Sequence, residues 1–284
     1  MTELNFIPIV VVSSWKTGST LLQAVLSKSD NICNLFPDKE GPDDDWEGAY
    51  FWNKHGIHIV HKKYGNYLKP DYFKRLDRDK IIEELNERHD GKSKYGLIKR
   101  PQFVFNLNFL KWLMPNAIIL GIKRDYLPTI YSHLRLFNTY GIVGAKPPNW
   151  TKRFPHSRTL EDISRYSAWS FYYVDNIMDI NNIPCITYEE LTDNTEDTIT
   201  KIGEIIGEEL HIDYDYSKIK NFNDAYKRGG GKDSKTVELK KKGIDLDKSK
   251  EKVMPPLNQK HVDYIMNIQD EYKDTKVSDI FIVK

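Results

Sequence analysis

Residues 7–20 limit the possible folds more than any other stretch of this 284-residue chain. Ile7, Pro8, Ile9, Val10, Val11 and Val12 form a continuous apolar run rich in β-branched residues. That is the pattern of a strand buried on both faces. A polar turn, Ser13 to Thr20, follows and contains Gly18; beyond it Leu21, Leu22, Val25 and Leu26 recur at helical spacing. Strand, glycine-containing turn and helix open an α/β unit.

The pattern returns along the chain. Tyr95 to Lys99 reads as a short strand, and Ala117 to Ile122 as a strongly apolar one ending at Lys123, Arg124 and Asp125. Pro128 then falls in the first turn of a helix running through Leu136. Leu160 to Ile180 reads as an aromatic-rich helix and Pro184 to Tyr188 as a strand. Thr195 to Ile206 is a helix that stops at Gly207, and Pro256 to Tyr272 a closing helix. The expected fold class is therefore α/β, a central parallel sheet flanked by helices on both faces, in one domain spanning residues 1–284. Two segments resist this reading. Asp38 to Tyr67 is polar, aromatic and irregular, and Lys227 to Lys252 carries ten basic and five acidic residues. Both read as loops around a site.

Forty-two basic residues against 41 acidic ones leave a formal charge of +1, so no global field points to nucleic acid. Any anion site must be built locally. Cys33 and Cys185 sit apart in apolar surroundings and read as buried thiols, and no clustered His/Cys ligand set suggests a metal. Ile7 to Val12 is too short for a signal core or a membrane span. A soluble, cytoplasmic location without membrane association is expected.

The turn itself carries chemistry. Backbone N–H groups at a helix N-terminus are unpaired and attract an anion. Gly18 permits close approach, Lys16 adds a full charge, and Ser19 and Thr20 add hydroxyl donors. Residue types alone also fit an ordinary capped helix start. A nucleotide kinase or other P-loop enzyme would need G-x-x-x-x-G-K-[ST]. Here Ser13 stands at the first glycine, and the lysine comes two residues before Gly18 instead of directly after it.

Lysine before glycine resembles the 5′-phosphosulfate loop of sulfotransferases that use PAPS (3′-phosphoadenosine 5′-phosphosulfate). Arg124 after an apolar strand, with Ser132 eight residues later, resembles that family's 3′-phosphate contacts. Ile186 to Leu191, followed by Asn194, resembles its Y-E-D-L segment, with Tyr188 at the tyrosine placed beside the adenine. The resemblance implies a P-loop NTPase-like sulfotransferase fold and transfer of a sulfuryl group from PAPS to a hydroxyl or amine. The product is adenosine 3′,5′-bisphosphate (PAP), and no metal is expected. A PAP-binding protein without transfer activity remains the alternative from another class.

The resemblance also assigns residues. Lys16 would neutralise the leaving oxygen, with Thr17, Gly18, Ser19 and Thr20 around the donor's phosphosulfate and Arg124 and Ser132 at its 3′-phosphate. Lys99, in Lys99-Arg100-Pro101, stands where cytosolic members continue to a histidine base and heparan-type members carry K-T-P. It would be a second cation of the donor or acceptor site. Lys39 to Trp46 matches the heparan-type loop at Lys39, Glu40, Asp45 and Trp46, making Glu40 the expected general base. His55, His58 and His61 are fallback bases. Phe222 would stack on adenine, and Arg228 and Gly229 would close over the 3′-phosphate. Trp46, Tyr50, Phe51 and Trp52 are expected to offer rings to the acceptor, with a carbohydrate favoured by the heparan-type features.

Overall fold

The computed structural model describes residues 2–37, 47–57, 68–137, 160–212, 259–277 and 283. Within them lies a five-stranded sheet in the order β2-β3-β1-β4-β5, every neighbouring pair parallel. The strands are β1 (Ile7–Ser13), β2 (Ile32–Asn34), β3 (Tyr95–Lys99), β4 (Ile118–Lys123) and β5 (Cys185–Thr187). Because all run the same way, their carboxyl ends share one edge. In open α/β sheets that edge, where the strand order reverses, is where ligands bind. Here β1 is the reversal point, with β3 on one side and β4 on the other.

The apolar run of β1 serves both faces of the sheet. Val10 and Val12 join a core with α2 (Ala49–Lys54), α4 (Arg78–Arg88), α5 (Leu107–Leu113) and α7 (Leu160–Ile180). Ile9 and Val11 join a second core with α1 (Ser19–Leu26), α8 (Tyr188–Asp193) and α9 (Thr195–Ile206). The remaining helices are α3 (Pro70–Phe73), α6 (Tyr126–Phe137) and α10 (Gln259–Tyr272). Among the described residues, no helix is long and apolar enough to cross a membrane.

Three departures from the sequence reading have physical causes. The segment 38–67 is not all loop, because α2 forms within it. Gly48 starts that helix at φ 64°, where a Cβ would lie 2.4 Å from the Phe36 ring. Phe51 and Trp52 are not acceptor-facing rings but core: Trp52 is fully buried, edge-on to Phe103, and its Nε1 donates to the Glu47 carbonyl. Among the described rings of that group, Tyr50 is exposed. Finally, β5 ends at Thr187 and Tyr188 begins α8. The Thr187 hydroxyl accepts from Glu190 N–H while the Glu190 carboxylate accepts from Thr187 N–H, a reciprocal cap. Both cysteines are free thiols and half-buried.

Asp175 on α7 is half-buried beside Lys123, Asp179 and Cys185, with one buried oxygen lacking a hydrogen-bond partner among the described residues. Burial pushes it up to about 7, the Lys123 charge opposing and Asp179 adding. A raised carboxyl stabilises the fold below its unfolded value near 3.9, and that contribution is lost as pH rises through the folded value. Asp175→Asn removes the dependence. Between pH 5 and 8 the wild type should lose about 2–3 kcal/mol relative to this variant. Urea midpoints at the two pH values measure it; a constant gap would contradict the assignment.

Candidate functional site

The turn after β1 keeps the shape its sequence suggests. Lys16 and Gly18 both have left-handed backbone, at φ 63° and 101°. The Thr17 hydroxyl donates to the Ser14 carbonyl at 2.9 Å and folds the loop on itself. Gly18 is the N-cap of α1 and no side chain caps that end. The first N–H groups of α1 therefore sit at the sheet's carboxyl edge with the helix dipole behind them, flanked by the side chains of Ser19 and Thr20.

Arg124 arrives from the neighbouring strand end. Its Nη1 donates to the Lys16 carbonyl at 3.3 Å and to Ser132 Oγ at 3.2 Å. Its guanidinium lies 4.1 Å from the centre of the Tyr188 ring, and Nε is 3.8 Å from Glu189 Oε1. Tyr188, only 7% exposed, also fills the space beside Gly18, where a Cβ would meet Cδ2 at 2.4 Å. Lys16, Gly18, Arg124, Ser132 and Tyr188 thus converge from β1, β4 and β5 into one place. Since Ser132 Oγ accepts from arginine, its own proton is left to donate to another group.

Gly18→Ala should be costly twice over, through its backbone angle and through the Tyr188 ring. We expect a loss of about 1–3 kcal/mol of stability together with weaker anion binding, read by thermal melting and by titration. An unchanged melting temperature would contradict the packing argument.

A second cluster lies at the end of β3. Lys99 Nζ, with its side chain 1% exposed, donates to Thr20 Oγ1 at 3.3 Å and pairs with Glu47 Oε1 at 3.3 Å. Arg100 Nη1 reaches Glu47 Oε2 at 3.4 Å. With the Gln102 amide turned so that both its ends find partners, it completes the set, its nitrogen donating to Glu47 Oε2 at 3.2 Å and its oxygen accepting from Trp15 Nε1 at 3.3 Å. Behind the turn, His133 of α6 is fully buried, Nδ1 2.7 Å from Ser167 Oγ. Burial, with the Lys16 charge adding, pushes its imidazole down to about 3, so it is neutral at physiological pH.

Of the residues expected from sequence, Lys16, Thr17, Gly18, Ser19, Thr20, Lys99, Arg124, Ser132 and Tyr188 lie around this edge. The His55 side chain instead packs edge-on against Phe51, its Nε2 3.2 Å from a carboxylate oxygen of Glu84 in α4. Lys39, Glu40, Asp45, Trp46, His58, His61, Phe222, Arg228, Gly229 and the basic segment Lys227 to Lys252 lie outside the described residues. Glu47, Arg100, Gln102 and Trp15 were not singled out by the sequence. The signal for Glu47 was one residue beyond the loop match that ends at Trp46. Contrary to the expectation of no ligand cluster, Cys33, His89 and Asp90 bring ligand atoms within 4.8 Å of one another. There Asp90 accepts from the N–H groups of Lys92 and Ser93 and from the Ser93 hydroxyl, and His89 Nδ1 accepts from Gly91 N–H.

A sequence model described as the sulfotransferase family matches residues 8–212. No curated protein matches the chain. Among solved structures, the fold is similar to a sulfotransferase from Alicyclobacillus acidocaldarius, with TM-score 0.50 and 12% identity over 95% of this chain and 93% of that one. A sulfotransferase from Mycobacterium avium aligns with TM-score 0.47 and 12% identity over 96% and 78% of the two chains. A mouse sulfotransferase complexed with PAP aligns with TM-score 0.42 and 14% identity over 97% and 86%. At 12% identity the first of these speaks for the fold alone.

Proposed function

Because the chain belongs to the sulfotransferase family, whose members transfer sulfuryl groups, we propose that the paired strand ends bind PAPS as donor and release PAP. One observation carries the reading: the Arg124 guanidinium bridges the Lys16 carbonyl and Ser132 Oγ. A cationic fork and a hydroxyl therefore sit beside the turn that leads into an uncapped helix N-terminus, an arrangement that supports binding of two separate phosphates of one nucleotide.

In this reading Arg124 and Ser132 hold the 3′-phosphate. The turn from Lys16 to Thr20 holds the 5′-phosphosulfate through its N–H groups, that of Thr17 among them, and through the hydroxyls of Ser19 and Thr20, the Thr17 hydroxyl being committed to the Ser14 carbonyl. Tyr188 forms a wall beside the adenosine and braces Arg124. Phe222, Arg228 and Gly229 close over the adenine and the 3′-phosphate. The bond between sulfur and the 5′-phosphate oxygen breaks as a bond from sulfur to the acceptor forms in line with it. Lys16 stabilises the charge that develops on the departing oxygen, and Lys99 is a second cation beside the turn. The acceptor's proton passes to Glu40. The positive charge comes from these side chains, so the mechanism is drawn without a metal.

The acceptor is a hydroxyl or an amine. A carbohydrate is our choice within that class, on the match of Lys39, Glu40, Asp45 and Trp46 to the heparan-type loop. Incubation with sulfur-35 PAPS and a panel of saccharides, phenols, alcohols and amines tests the reading. Label transfer with stoichiometric PAP release is expected. PAP binding without transfer to any acceptor, or turnover of ATP-Mg in its place, would contradict it.

A further inference from the structure

We infer that Glu47 is a positioning residue for transfer, holding the Lys99 ammonium against the donor turn and tying that turn at both ends; this rests on the donor site proposed above. Its carboxylate is the hub of a hydrogen-bonded circuit. From Oε1 the circuit runs through Lys99 Nζ to Thr20, at the far end of the turn. From Oε2 it runs through Gln102 to Trp15, at the near end. Oε2 also meets Arg100.

Physical chemistry explains why a carboxylate stands here. Lys99 and Arg100 are adjacent in sequence and their side chains are 1% and 6% exposed. Buried cations need a counter-charge, and two neighbours of like sign need it more. Glu47, 14% exposed, gives one oxygen to each. Its own backbone is fixed by the Trp52 indole and by the turn at Gly48. The result is directional. Thr20 Oγ1 accepts from Lys99, so the Thr20 proton is left to donate onward into the donor site.

Charge and geometry make opposite predictions for Glu47→Gln, which is what makes the inference testable. Removing the negative charge raises the local positive potential, so PAP should bind as tightly as in the wild type or more so. Losing the anchor for Lys99 should nevertheless slow transfer about 10- to 100-fold. The experiment measures PAP affinity by calorimetry and release of sulfur-35 sulfate from PAPS, with water as acceptor. It compares wild type, E47Q, E47D, K99M and the double variant E47Q/K99M.

If Glu47 acts through Lys99, the double variant should be no slower than K99M, and E47D should recover part of the rate. An E47Q penalty that persists in full in the K99M background would overturn the inference. So would wild-type turnover in E47Q, or a loss of PAP affinity in step with the rate. Loss of the acidic limb of the pH–rate profile in E47Q would make Glu47 a proton acceptor and overturn it as well. Failure of the wild type itself to bind PAP would be a different result, removing the donor site and this inference with it.

Discussion

Lys16→Ala is expected to reduce sulfuryl transfer by about 10²–10³-fold or more while leaving the fold intact, which matches the usual cost of losing one charge-stabilising donor at a developing oxyanion. The substitution is cleaner than most. Lys16 has a left-handed backbone at φ 63°, and alanine carries the same Cβ strain there, so the turn gains no new penalty. The contact that joins the turn to Arg124 uses the Lys16 carbonyl and survives any change of side chain. What disappears is the ammonium. PAP affinity should fall less than the rate, since the N–H groups of α1 still face the anion. Single-turnover decay of sulfur-35 PAPS, beside a thermal melt of the same sample, checks both halves. Wild-type turnover would reject the role given to Lys16.

Arg124→Ala should have the second large effect, this time on binding. The guanidinium makes two hydrogen bonds, packs over Tyr188 and lies near Glu189. Charge-assisted bonds to phosphate contribute about 1.5–3 kcal/mol each, so PAP affinity should drop roughly 10²-fold or more. Arg124→Lys should rescue little. An ammonium cannot reach Ser132 and the Lys16 carbonyl in one plane while stacking flat on a ring. Calorimetric titration of both variants with PAP and with adenosine 5′-monophosphate is the check. The loss should be confined to the ligand bearing a 3′-phosphate; equal losses for both ligands would place Arg124 elsewhere on the nucleotide.

These residues could be named before any fold was known because their signals are local. A buried parallel strand reads as an unbroken apolar run, so β1, β3 and β4 were visible. A turn joining such a strand to a helix has nowhere to lie but the sheet's carboxyl edge. The Arg124 and Ser132 spacing lies within one strand–helix junction. Elements with weak local signals were not visible. β2 has three residues, and α4 is mostly charged, burying only Ile81, Ile82 and Leu85. The start of α8 does carry a signal, since Thr187 with Glu190 three residues on is a capping box that competes with a strand running through Tyr188.

Glu47 was illegible for a different reason. Its importance comes from tertiary convergence, because the entry to α2 meets the end of β3 where Trp52 and Phe51 pack into the core. The same packing refutes the idea that these two rings face an acceptor. Aromatic clusters in a polar stretch suggest a binding surface, but a short helix flanked by glycines buries them just as well.

The central claim is that a single adenine nucleotide is held at both its 5′ and 3′ ends by the turn at Lys16 and the fork at Arg124. Titrating the unmodified protein with PAP and with adenosine 5′-monophosphate tests it most directly. The account requires PAP to bind about 10²-fold more tightly; equal affinities, or no heat with PAP at all, would contradict it.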